Sequence, residues 1–143
     1  ELQRTENMSI ILITHDLAVV ARMADRVAVM YAGQIVEAGS VDDIFYRSAH
    51  PYTLGLKQAM PSNKGNRDKQ LTPILGSPPD LFHPPAGCAY FARCPYAMAV
   101  CEHHSPAETT QPDDSEHHAR CWLQHDGAPR QERLTQGGVT HAD

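Results

Sequence analysis

Apolar residues gather in the first 60 positions and thin out afterwards. Residues 8–14 contain the run Ile10, Ile11, Leu12 and Ile13, short and rich in β-branching. That pattern predicts a strand covered on both faces, as in the parallel sheets of α/β folds. No set of βα units accompanies it, so its partner strands are expected to lie outside these 143 residues. Residues 16–23 read as a helix, with Asp16 as N-cap and Leu17, Val20 and Ala21 on one stripe. Val27, Val29 and Tyr31 alternate over 26–31, Ala32-Gly33 makes a turn, and 34–38 returns with Ile35 and Val36. This is a β-hairpin pattern, closed by Gly39. Ser40 and Asp43 form a capping box with Asp in place of Glu, which starts a helix at Val41 that reaches about Arg47. His50-Pro51 breaks it, and 52–60 forms another short helix behind the proline.

The second half carries a different grammar. Residues 61–70 hold no large apolar side chain and read as a linker. Residues 71–85 contain five prolines and one glycine, which predicts an extended, irregular path anchored by Ile74, Leu75, Leu81 and Phe82. Residues 87–101 carry three cysteines, 102–119 are polar, and Cys121-Trp122-Leu123 is a small apolar island. The stretch from 124 onward has few large aliphatics and is expected to be a disordered tail. The domain division expected is therefore 1–47, 48–123 and 124–143.

Charge changes the picture mainly by exclusion. The net charge of −5 divides as −2 over 1–60 and −3 over 61–143, and no basic face exists to neutralise phosphate backbones. Nucleic-acid binding is not expected. No apolar run reaches the length of a membrane span and no signal peptide opens the chain, so a cytosolic protein, or a piece of one, is expected. Only about 60 residues look able to build a dense core, which is marginal for a domain alone.

Two features carry candidate chemistry. His15 directly follows the predicted strand and precedes a helix. In open α/β sheets ligands sit beyond the carboxyl ends of strands, where a His can donate to an anionic oxygen; a polar residue that merely caps the strand is the alternative. The second feature is the spacing Cys88-x5-Cys94-x6-Cys101-x19-Cys121. Nothing marks the chain as secreted, which disfavours disulfides. Zinc draws its thiolates to about 3.8 Å from one another and takes two of them from a tight C-x2–4-C turn, which is missing here. A cubane cluster gives each thiolate its own iron and suits wider gaps. Composition leaves cluster and zinc both open. His103, His104, His117 and His118 are read as a solvated polar loop rather than extra ligands. Arg93 and Arg120 either offset an anionic centre or are ordinary exposed arginines, and Tyr90, Phe91 and Trp122 either shield it or form a mini-core.

Ile11-Leu-Ile-Thr-His-Asp16, Ala24-Asp-Arg-Val-Ala-Val-Met30 and Ala32-Gly-Gln-Ile-Val-Glu-Ala-Gly39 resemble the last part of an ABC-transporter ATPase domain. The continuation His50-Pro-Tyr-Thr-x-x-Leu56, Pro73-Ile-Leu-Gly-Ser-Pro-Pro79 and Gly87-Cys-x-Tyr-x-x-Arg-Cys-Pro95 is similar to the C-terminal extension of dipeptide and oligopeptide importer ATPases, shared by some nickel importers. The resemblance implies an α/β fold: the end of a nucleotide-binding domain followed by an irregular extension stapled by four cysteines. It implies that His15 is the switch residue at the ATP γ-phosphate, and that Cys88, Cys94, Cys101 and Cys121 hold a [4Fe–4S] cluster, with zinc as the alternative. ATP and Mg are implied cofactors of the intact subunit. Implied partners are a second ATPase subunit and transmembrane permease subunits, at the cytoplasmic face of the inner membrane, with no direct peptide binding. The phosphate-binding loop G-x-x-x-x-G-K-[ST] does not occur in this sequence, so the chain alone is expected to be inactive. A non-enzymatic metal-binding interaction module is the rival expectation.

Overall fold

A computed structural model of the chain describes residues 5–6, 8–60, 72–112 and 114–129. The linker expected over 61–70 and most of the tail expected from 124 onward lie outside the described residues.

Helix α1, Leu17–Met23, starts where Asp16 caps it: the Asp16 carboxylate accepts from the Ala18 and Val19 amides. Strands β1, Arg26–Tyr31, and β2, Gln34–Ser40, pair antiparallel across a two-residue loop. Ala32 and Gly33 both have positive φ, 48° and 78°. That is the handedness a type I′ loop needs to match the twist of its strands. β2 runs to Ser40, past the Gly39 at which the pattern placed its end. Ser40 is then the N-cap of α2, Val41–Tyr46, in a complete capping box with Asp43. α3, Pro51–Gln58, follows with His50 as N-cap and Pro51 at its first position. The hairpin and both helix starts stand where the local sequence put them.

The polar stretch 102–119 departs from expectation. It contains β3, Thr109–Gln111, and β4, Asp114–Ala119, and β4 pairs with β2. The sheet is antiparallel throughout, in the order β1-β2-β4-β3. β4 hides from sequence reading because its inward positions are His117 and Ala119, so no hydrophobic period marks it. The segment after residue 47 is thus joined to the hairpin by a sheet.

Residues 8–14 form no strand, and Ile11 and Ile13 are 92% and 95% exposed. A strand covered on both faces needs hydrogen-bonding neighbours, and none pairs with this run among the described residues. The helix α1 stripe likewise buries nothing fully.

The core lies under the hairpin. Val29, Tyr31, Val36, Ile44 and Tyr90 form its buried cluster, with Tyr52, Leu56 and Ile74 packed against it. Full burial of a side chain such as Ile44 stabilises by about 1.5–3 kcal/mol. Tyr31, Tyr52 and Tyr90 stack around one point, with ring centroids 4.6, 5.2 and 5.4 Å apart. Of the four anchors expected in the proline-rich segment only Ile74 packs inward; Leu75, Leu81 and Phe82 are exposed. Arg93 holds that segment instead, donating to the Leu75 carbonyl (2.9 Å), the Ile74 carbonyl (3.1 Å) and the Tyr31 hydroxyl (3.2 Å). No helix among the described residues is long and apolar enough to cross a membrane.

Two stability predictions arise here. Ala32 carries a left-handed backbone that Asn tolerates far better. Ala32→Asn should therefore stabilise by up to about 1 kcal/mol, read as a raised Tm. His50 is enclosed; burial pushes its imidazole down to about 4 against a smaller upward pull from Glu37. An unfolded chain takes up this proton near pH 6.5, while the folded one resists it until about 4. The contribution is complete above pH 6.5 and lost as pH falls toward 4, about 3 kcal/mol in all. Stability against pH, compared between wild type and His50→Asn, should show this slope in the wild type and not in the variant.

Candidate functional site

Asp16 holds the turn that presents His15. Its amide donates to Thr14 Oγ1 (3.0 Å), and its Oδ1 accepts from the Ala18 amide (2.8 Å) and the Val19 amide (3.2 Å). His15 itself is exposed and shares no hydrogen bond, ion pair or ring contact with other described residues. It is open to whatever approaches this turn.

Of the cysteines, Cys88 and Cys94 pack against the core. Gly87 makes the first contact possible: a Cβ there would stand 2.2 Å from the Cys101 carbonyl oxygen and 2.5 Å from that of Glu102. With glycine, the Cys88 amide reaches the Cys101 carbonyl at 2.8 Å. Cys101 is buried in α4, Ala99–His103. Between them the chain winds through tight turns, with Phe91 N donating to Cys88 O (3.0 Å) and Cys94 N to Phe91 O (3.1 Å). Tyr90, inside this winding, is the residue that plugs it into the core. Cys121 follows β4 and opens the 3-10 turn Trp122–Gln124, whose Gln124 side chain donates to the Ala49 carbonyl at 2.6 Å.

The sulfurs share one environment. Burial pushes the Cys88 thiol up, the Cys94 thiol to about 11 and the Cys121 thiol to about 12. Opposing this, backbone amides donate to the sulfurs: Tyr90 and Phe91 to Cys88, Tyr96 to Cys94, Leu123 to Cys121. Cys121 is also pushed up by each of the other three cysteines, so the four are near enough to act on one another. Such thiols stay protonated at neutral pH unless a metal takes the proton's place.

Four cysteines with backbone amides turned toward three of them are residue types that can ligate a metal as thiolates. Against this, no group of three or more His, Cys, Asp or Glu is placed to hold a metal ion among the described residues. All four cysteines are free thiols. The expected metal staple finds no support among the described residues; β4 on β2, Tyr90 in the core and the Arg93 bonds join the segment to the hairpin.

The side residues resolve unevenly. Arg93 serves the proline-rich segment, and Arg120 Nη2 lies 3.8 Å from Glu108. His103 and His104 are exposed as expected. His117 is not in a solvated loop: it is buried, with Nε2 2.8 Å from Glu37 Oε1 and Nδ1 3.9 Å from Asp43 Oδ1. The only sequence signal for this was a carboxylate at an apparent strand centre, Glu37, which must find donors if buried.

A family model described as the oligopeptide/dipeptide transporter, C-terminal region, matches residues 36–101. The dipeptide transport ATP-binding protein DppD of Bacillus subtilis is 54% identical over 124 residues, 87% of this chain and 36% of that protein. The oligopeptide transport ATP-binding protein OppD of the same organism is 50% identical over 132 residues, 92% of this chain and 36% of that protein. OppD of Salmonella typhimurium is 46% identical over 112 residues, 78% of this chain and 33% of that protein. The chain spans about a third of the length of these curated relatives. All three are described as transport ATP-binding proteins, which lends nothing to the rival interaction-module reading. The chain is similar to the C-terminal region of dipeptide and oligopeptide transport ATP-binding proteins.

Proposed function

We propose that the chain serves as the C-terminal part of the ATP-hydrolysing subunit of an ABC importer for dipeptides or oligopeptides. The observation that carries this reading is identity of 50% with an oligopeptide transport ATP-binding protein over 92% of the chain, a span long enough to take in His15, the hairpin and the cysteine segment together. In this reading residues 1–47 end the nucleotide-binding domain, 48–123 are the importer extension and 124–143 a tail. Its partners are a second ATPase subunit and the membrane permease subunits, and its place is peripheral, at the cytoplasmic face of the membrane.

The chemistry assigned to this chain is limited. The loop that cradles ATP phosphates has no counterpart in the sequence, so binding energy for ATP and Mg comes from elsewhere in the subunit. His15 supplies one donor to the γ-phosphate and orders the attacking water beside it. A fixed donor at developing charge acts mainly on the transition state. The exposed imidazole, without a partner among the described residues, on a turn pinned by Asp16 suits that task. Cys88, Cys94, Cys101 and Cys121 would hold a [4Fe–4S] cluster. The support is the similarity of Gly87-Cys-x-Tyr-x-x-Arg-Cys-Pro95 to the importer extension, with Cys101 buried and Cys88, Cys94 and Cys121 half-buried. A zinc ion would require the sulfurs to close to about 3.8 Å. When bound, the cluster supplies a one-electron centre; the chain's own residues enclose it and exclude water.

In the complete subunit, His15→Ala should leave ATP affinity within a few-fold and lower kcat by about 10²–10³. Wild-type turnover in that variant, measured by phosphate release, would remove His15 from the reaction. The chain purified without oxygen should be brown and contain about four irons and four sulfides. Replacing any of the four cysteines with Ser should cut iron content. Stoichiometric zinc without iron or sulfide after anaerobic iron supply would select the alternative, and four freely alkylated thiols would reject both.

A further inference from the structure

Because the His15 imidazole has no side-chain partner among the described residues, only its backbone holds it. That backbone is closed on both sides. On one side the Asp16 amide donates to Thr14 Oγ1 at 3.0 Å, a ring that spans His15. On the other, Asp16 Oδ1 accepts from the Ala18 and Val19 amides and the Asp16 carbonyl accepts from Val20 N at 3.2 Å, which ties the turn to α1. An unpinned residue samples several φ/ψ wells and carries its side chain with it. The two pins differ in what else they do. The Asp16 carboxylate is committed to the helix as its N-cap. Thr14 is exposed, and its hydroxyl makes no other bond among the described residues. A β-branched run by itself would be served as well by valine at this position.

We propose that Thr14 is a positioning residue for His15: its hydroxyl accepts from the Asp16 amide and so fixes the backbone from which the imidazole reaches the terminal phosphate of ATP. This rests on the reading of His15 given above. A donor without side-chain partners reaches a fixed point only if its Cα and Cα–Cβ direction are set, and a misplacement of about 1 Å costs up to about 10² in rate. ATP affinity comes from elsewhere in the subunit, so loss of the Thr14 bond acts on turnover and leaves binding nearly unchanged.

Two substitutions separate the hydroxyl from the shape. Thr14→Val keeps the β-branched outline and removes the acceptor, whereas Thr14→Ser keeps the acceptor. Phosphate release by the complete subunit is measured over a range of ATP concentrations. We expect Thr14→Val to lower kcat about tenfold with KM for ATP within about twofold, and Thr14→Ser to stay within about twofold of wild type in both. The double variant Thr14→Val/His15→Ala should be no slower than His15→Ala alone, because a residue that acts through the imidazole then has nothing to position. Wild-type kcat in Thr14→Val, an equal loss in Thr14→Ser, a raised KM at unchanged kcat, or a further loss in the double variant overturns the assignment and leaves His15 in its role. Wild-type turnover in His15→Ala overturns the His15 reading together with this one. The bond itself is read without substitution in the 15N-labelled chain. The Asp16 amide should show the small temperature coefficient of a hydrogen-bonded proton, and a solvent-like coefficient overturns the proposal even where a variant fails to fold.

Discussion

Three donors from two separate parts of the chain converge on the Glu37 carboxylate, which is closed off from water. Ala49 N (2.7 Å) and His117 Nε2 (2.8 Å) reach Oε1, and His50 N (3.1 Å) reaches Oε2. A buried carboxylate without donors would cost several kcal/mol, so each of these groups is constrained to its place. The first two elements after the hairpin and the last strand of the sheet are tied through one side chain. Asp43 extends the knot. Burial pushes its carboxyl up, but the Ser40 hydroxyl and amide and the Arg47 guanidinium outweigh this and hold it below its ordinary value. The capping box of α2 and the buried pair are therefore one network, with His117 between its two carboxylates.

This network explains why the cysteine segment need not be an independent unit. β4 brings His117 to Glu37 and, two residues on, Ala119 opposite Glu37 in register. Arg120 N then bonds the Val36 carbonyl at 2.8 Å, and Cys121 follows immediately. The position of one thiol is thus set by sheet pairing with the hairpin. Cys88 is set differently, by Gly87 against the α4 carbonyls and by Tyr90 in the tyrosine cluster. Two unrelated constraints, one of sheet register and one of close backbone approach, bring distant cysteines into a single neighbourhood.

The site was legible where chemistry depends on residue identity. Four cysteines in a short span of a chain with little core mark themselves, whatever they hold. His15 stood out through its position after an apolar run, and the resemblance gave it a role. His50 and His117 were not legible. The first sits before a proline and reads as a helix start, which it is; its burial and the bond from its amide to Glu37 come only with the fold. The second lies in Asp-Ser-Glu-His-His, a run with no period to distinguish it from a loop.

Local interactions and long-range ones divide the outcome. Asp16, Ser40 with Asp43, Pro51 and Ala32-Gly33 determined helix starts and the hairpin, because caps and turns involve groups only two to four residues apart. The four-stranded sheet, the burial of His117 and the fate of residues 8–14 were decided only in three dimensions. Glu37 and His117 are 80 positions apart, and nothing in either neighbourhood names the other. A β-branched run becomes a strand only where another strand meets its backbone, and a polar run becomes one when it does. Hydrogen-bond partners across the sheet, rather than the side-chain pattern, made that choice.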